Sequence, residues 1–203
     1  MKKLFILLFV LFTVPLFSQS WKQVKMPTFR ISFDLGYKMY AEESFEDVYG
    51  SKGAFIYGGG AQLRIIPFSE VSGLYGNFVY YGSSSEGNTI GTRHYTTTLT
   101  QSTFLYGANY AWRKSQTSRL VNWFGVGYAT ANVEETIGEY GSFAEKGSGY
   151  YVEYGYLSGS GSVDFGMVLR YVGMTIDTDS QSASKGSADI GGLDIVFQMG
   201  YNF

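Results

Sequence analysis

The sequence predicts an all-β protein, an eight-stranded antiparallel up-and-down transmembrane β-barrel. Three observations point to it. Apolar and polar residues alternate with a period of two, the connections alternate in length, and the composition suits a wall with one greasy face. Of 203 residues, 18% are aromatic, with 18 Tyr and 16 Phe, while only 16% are charged, against ~25% in an ordinary soluble domain. There are 27 Gly and 3 Pro. A mean hydropathy of −0.04 shows apolar residues diluted by polar ones, not gathered into long spans. The net charge of −2 argues against a nucleic-acid binder with a basic surface. The absence of cysteine excludes disulfides, thiol catalysis, thiolate metal sites and an acylated anchor.

Met1, Lys2 and Lys3 form a short basic start, followed by the apolar run from Leu4 to Phe17. A spanning helix needs ~20 residues, so this shorter run reads as the core of a signal peptide over 1–20. Ser18 and Ser20 supply small residues for cleavage. Its removal leaves 13 basic against 17 acidic residues, net −4, in a barrel domain over 21–203.

After Pro27 the alternation begins. Phe29, Ile31, Phe33, Leu35, Tyr37 and Met39 are interleaved with Arg30, Ser32, Asp34, Gly36 and Lys38, and side chains on a strand alternate between its two faces. Val163 to Tyr171 and Leu193 to Phe203 repeat the pattern. Eight strands are read near 28–40, 54–66, 71–82, 93–112, 119–133, 149–157, 162–176 and 188–203. In the fourth, Thr96, Thr98, Thr100 and Ser102 extend the apolar face as a polar one, so that strand is expected to project beyond the bilayer. In the fifth, Phe124, Val126 and Tyr128 compete with Val121, Trp123 and Ala129 for the outside. Turns at 67–70, 113–118 and 158–161 are short; the stretches 41–53, 83–92, 134–148 and 177–187 are long. Short periplasmic turns and longer extracellular loops belong to membrane barrels.

A soluble barrel would point its large apolar residues inward. Here the opposite face carries Gly, Ser, Asn and charges, and eight strands leave an interior that only side chains fill. The small-residue face therefore belongs inside. Trp112 and Trp123 flank the turn at 113–118, where an interfacial aromatic girdle is expected. From about residue 28 onward, the eight-strand rhythm and the ending LDIVFQMGYNF resemble the small outer-membrane barrels of the OmpA/OmpX kind. That resemblance implies a terminal insertion signal at Met199, Tyr201 and Phe203, read by the barrel-assembly machinery. The Ser-Gln near the cut site is similar to exported proteins of Bacteroidota.

The polar faces carry Asp34, Lys38, Arg64, Glu153, Asp164, Arg170 and Asp194, with Arg30 set aside as a rim residue. Buried charges persist when paired and hydrogen-bonded, so these predict an ion-pair network that fills the lumen. Asp194 is placed to bridge Arg170 and Lys38, because its strand lies between theirs. A proton or ion path through the same groups is the alternative. Glu42, Glu43, Glu46, Asp47, Glu134, Glu135 and Glu139, with Glu145, Asp177 and Asp179, crowd the long loops. They form a solvated acidic rim, or a place for a partner or for divalent cations that bridge lipopolysaccharide phosphates.

No metal or cofactor is expected. His94 is the sole histidine; some eight-stranded outer-membrane enzymes that trim lipid A pair a His with a Ser, and here Thr96 stands where that Ser would be. The glycines at 58–60 and 159–161 precede no helix, so they are not phosphate loops. The expectation is a non-enzymatic barrel that binds at the surface or serves as an accessory or structural subunit of an outer-membrane assembly. Outer-membrane lipid and lipopolysaccharide are its surroundings, other outer-membrane proteins are candidate partners, and nucleic acid is not. A lipid-modifying enzyme using His94, or a narrow pore, is the alternative.

Overall fold

A computed structural model of the chain describes residues 25–88, 95–159, 162–178 and 186–203. The export segment and His94 lie outside them. The strands are β1 (Phe29–Tyr40), β2 (Gly53–Ser69), β3 (Ser72–Asn88), β4 (Thr96–Arg113), β5 (Leu120–Ile137), β6 (Gly141–Gly159), β7 (Val163–Thr178), β8 (Gly186–Asp189) and β9 (Gly192–Asn202). One short helix, α1 (Ser44–Tyr49), sits in the first long connection. Neighbours in sequence pair antiparallel, β6 pairs with β7, and β9 lies between β7 and β1, which closes the sheet into a ring. β8 pairs only with the upper end of β7. Together β8 and β9 form one eighth wall strand, interrupted at Ile190 and Gly191.

The register gives the barrel its geometry. A row starting at Lys38 passes through Asp194, Arg170, Glu153, Gly125, Asn109, Tyr75 and Arg64. It returns to β1 at Thr28, whose carbonyl accepts from the Arg64 N–H at 2.8 Å. The row has dropped from residue 38 to residue 28, a shear of ten, and staggers of this size tilt strands by about 40°. At the level of this row the ring has no free edge, so the backbone polar groups are satisfied within the sheet, as lipid requires.

Odd positions of β1 and β9 face outward, and so do even positions of β4, β5 and β6. Phe33, Leu35, Phe124 and Leu169 are 49–51% exposed. A belt of such residues right round the molecule far exceeds the apolar patches that soluble proteins tolerate. It is a lipid-facing surface. No described helix is long and apolar enough to cross a membrane; the strands cross instead.

Two expectations are corrected. The stretch 134–148 is not a loop: β5 and β6 run through it and join by a single 3-10 turn at Gly138–Tyr140. Likewise β3 continues to Asn88. These segments keep the period of two, but their polarity has reversed, with Thr98, Thr100, Asn132 and Glu134 outside and Leu99, Ala131 and Val133 inside. The second correction is Trp123, which is buried in the lumen at 2% exposure and takes no part in a girdle. It shares the inward phase with Val121, while Phe124, Val126 and Tyr128 take the outside. Trp112 does face outward, stacked on Tyr110 at 5.6 Å between ring centres.

Candidate functional site

The interior at membrane height is built from charge. Arg170 donates from Nε to Glu153 at 2.9 Å, and its Nη1 lies 3.8 Å from Asp194. Glu153 accepts from four different side chains. Beyond Arg170 it takes hydrogen bonds from Trp123 Nε1 at 3.2 Å, Asn109 at 3.0 Å and Asn77 at 3.3 Å. Asp194 also accepts from the Tyr81 hydroxyl at 3.0 Å. Lys38, fully buried, faces Asp194 across the β1–β9 ladder. Its Nζ lies 5.0 Å from the Tyr40 ring centre and has no hydrogen-bond partner among the described residues. Lys38, Asp194, Arg170 and Glu153 thus stand in one cross-strand row, with alternating charge.

A second cluster lies below. Arg30 grips Asp164 through Nε and Nη2, the latter at 2.8 Å, and donates from Nη1 to Gln198 at 3.3 Å. Gln198 passes the chain on to Asp34 at 3.1 Å, and Asn202 donates to Asp164 at 2.8 Å. Two glycines make the space: a methyl at Gly155 would collide with the Trp123 indole, and one at Gly125 with the Asn109 amide.

Arg64 is the member of the predicted lumen set that the structure sets apart. Its Nη2 donates to the carbonyls of Ser69 and Ser72 at 2.6 and 2.9 Å, so it braces the β2–β3 turn. Arg30 takes the place assigned to it, 1% exposed and paired. The signal was present in the sequence, because Arg30 shares its phase with Asp34 and Lys38, and nearness to the strand end was the wrong reason to set it aside. Asn77, Tyr81, Asn109, Trp123 and Gln198 were also missed. Neutral donors and acceptors do not stand out in a search for charge.

Above this level α1 packs onto the interior. Phe45 is buried, stacks on Tyr40 at 3.8 Å and touches Tyr49 at 4.4 Å. The Tyr49 hydroxyl donates to Glu135 at 2.9 Å, and Thr97 donates to the same oxygen at 2.9 Å. Burial and the adjacent carboxylate push the Tyr49 hydroxyl upward from the ordinary tyrosine value. Glu135 is therefore an inward strut. Glu42, Glu43, Glu46, Asp47, Glu134 and Glu139 are exposed, and Glu46 meets Lys52 at 3.3 Å. Among the described residues no group of three or more potential ligands converges as a metal site. At the other end Met199, Tyr201 and Phe203 are exposed on one outer face, and Phe203 is tied to β1 through its N–H to Phe29 O at 2.9 Å.

No protein-family model matches the chain, and no curated protein matches it in sequence. Solved structures do match. The outer membrane protein OprG of Pseudomonas aeruginosa aligns at a TM-score of 0.64 and 13% identity, over 88% of this chain and 97% of its own. Neisserial surface protein A gives 0.52 and 13%, over 87% and 97%. Ail, the attachment invasion locus protein of Yersinia pestis, gives 0.51 and 11%, over 88% and 100%. The fold is that of the small eight-stranded outer-membrane β-barrels. The apolar belt is the face that a barrel of this fold turns to lipid.

Proposed function

We propose that this outer-membrane barrel is non-enzymatic, and that its extracellular wall binds a partner or seats the chain in a larger outer-membrane assembly. One observation carries the reading. Paired charges cross the lumen and α1 packs over its other end through Phe45, while β3 to β6 continue as long strands beyond that level. β4, β5 and β6 have 18, 18 and 19 residues, where ~9–11 suffice to cross. Rigid scaffolds commonly present binding residues in this manner.

The charge of that end argues for the kind of partner. Its described charged residues include Glu42, Glu43, Glu46, Asp47, Glu86, Glu134, Glu135, Glu139, Glu145, Asp177 and Asp189 against Lys52 and Lys146. Ail has been solved in complex with the heparin analogue sucrose octasulfate, a polyanion that an acidic surface would repel. A basic protein segment fits this end instead, with lipopolysaccharide reachable only through divalent cations. Met199, Tyr201 and Phe203 would serve earlier, as the face that the assembly machinery reads.

The test is a gentle-detergent pull-down with mass spectrometry, run with wild type and with Glu46, Glu134 and Glu139 all changed to Gln. A specific partner, retained at low salt and lost with the triple variant, is the expected result. Lipid A mass spectra of cells with wild type, His94→Ala and no protein test the enzyme reading. A mass change that needs His94 would replace the present proposal, as would a large steady conductance in planar bilayers.

A further inference from the structure

Most of the large apolar side chains that the barrel exposes belong to the lipid belt. Tyr140, 63% exposed, and Phe143, 47% exposed, do not. They lie at the projecting end of β5 and β6, with Phe143 seven residues beyond Tyr150, or about 23 Å of strand. Phe143 also has the odd, inward phase of Tyr151 and Glu153, whereas the lipid face of β6 is the even one. Contact with the bilayer therefore does not account for it. The register sets Phe143 opposite Glu135 and Thr97 opposite Ile137, so Ile137, next on that face of β5, is the diagonal neighbour of Phe143. Tyr95 leads into β4 two residues before Thr97. Its ring meets the Tyr140 ring edge-on at 4.9 Å, and the Tyr140 hydroxyl donates to the Tyr95 hydroxyl at 3.1 Å. Tyr140 is thus fixed by a ring contact and a hydrogen bond, yet most of it meets water. An aromatic ring held in place loses little freedom when something docks on it. Glu139 precedes Tyr140 in the turn, and Glu145 shares the phase of Phe143 while Lys146 takes the opposite one. Among the described residues no cation pairs with Glu139 or Glu145.

We propose that this aromatic and acidic tip is the docking point for arginine side chains of a partner protein, an inference that rests on reading the projecting wall as a binding surface. A guanidinium stacks flat on an aromatic ring and pairs with carboxylates through its N–H edge, which matches Tyr140 with Glu139 and Glu145. Apolar neighbours of the arginine in the partner segment cover Phe143 and Ile137. Lysine, a strongly hydrated point charge, gains less from the ring. A sulfated or phosphorylated ligand would meet only carboxylates here.

Titration calorimetry on the full barrel in phosphatidylcholine nanodiscs tests it, with empty nanodiscs as reference and the peptide acetyl-Gly-Arg-Leu-Arg-Gly-amide as the probe. Saturable binding is the expected result. It should weaken roughly tenfold for the citrulline analogue, which keeps the shape of arginine and loses its charge, and less steeply for the lysine analogue. Tyr140→Ser and Phe143→Ser should each weaken it roughly threefold to fivefold. Heat-modifiable migration on gels checks that each variant is folded. The inference falls if no saturable heat appears, if the citrulline analogue binds as well as the arginine peptide, or if both serine variants bind like wild type. Loss of the peptide in the Glu46, Glu134 and Glu139 variant, with both serine variants binding normally, would overturn this docking point and leave the acidic wall standing as a binding surface. Peptide binding that needs Tyr140, beside a pull-down that yields no partner, would support the docking point and count against the assembly reading alone.

Discussion

The lower and upper halves of the same strands obey opposite rules. At membrane height β4 and β5 turn Phe104, Tyr106, Phe124 and Val126 outward and keep Asn109, with the Glu153 and Arg170 of other strands, inside. A few residues higher they turn Thr98, Thr100, Asn132 and Glu134 outward, and bury Leu99, Ala131 and Val133 near Phe45 of α1. The backbone does not change; the solvent does. Below, lipid covers the outside and the polar groups must satisfy one another. Above, water covers the outside, and the interior mixes apolar residues such as Leu99 and Val133 with hydrogen-bonded Thr97, Gln101 and Glu135.

The largest expected effect breaks the lower half. Glu153→Ala leaves Arg170 with Asp194 alone at 3.8 Å and takes an acceptor from Trp123, Asn109 and Asn77, and removing one partner of a buried pair costs ~3–5 kcal/mol. Urea unfolding in liposomes should show that loss, with Glu153→Gln milder; equal stability of wild type and Glu153→Ala would refute the network as a support of the fold. Next comes a direct contrast on the outer face. Leu169→Arg, near the middle of the lipid belt, should cost ~2–4 kcal/mol, whereas Thr98→Arg, outward on the upper wall, should stay within about 0.5 kcal/mol. Similar costs at both sites would erase the proposed boundary between lipid and water.

A smaller effect concerns Lys38 and Asp194. The double change to Ala should cost less than the sum of the single ones, with a coupling of ~0.5–3 kcal/mol. Strict additivity would mean that the two charges, though opposite in register, do not sense each other. The smallest effect is on α1. The Tyr49 hydroxyl is raised above its ordinary value of 10, so the folded state holds its proton more tightly than the unfolded one. The docking it supports is complete at neutral pH and fades only as pH climbs above about 10. Limited proteolysis of the segment 41–53 should stay slow up to that point and quicken beyond it, and Tyr49→Phe should remove the pH step.

The lower half was legible in the sequence because its two environments differ sharply. Period-two alternation placed Phe33 outside and Asp34 inside without any knowledge of the fold. The upper half was harder to read. Where water replaces lipid, Thr and Glu belong on the surface and Val and Leu inside, so β5 beyond Val133 looked like a loop once its apolar face had changed sides. Trp123 was misread for a related reason: position near a turn suggested the interface, whereas its phase with Val121 and Ala129 pointed to the lumen. Arg64 has the lumen phase of β2, but its place beside the turn carbonyls follows from the bulge around Ile65, which no alternation reveals.

The ladder between β1 and β9 joins Arg30 to Asn202 and Tyr40 to Gly192, nearly the full span of the described chain. Contacts so distant in sequence bring a large loop-closure cost before any reward, and folding slows accordingly. Until that last seam forms, an assembling chain carries two open strand edges, each a template for pairing with other chains. Speed and safety of assembly therefore hinge on how long those edges stay open, and a change that delays the seam, such as a proline at Ile195, should divert the chain to aggregates without weakening any contact that the two edges do not share.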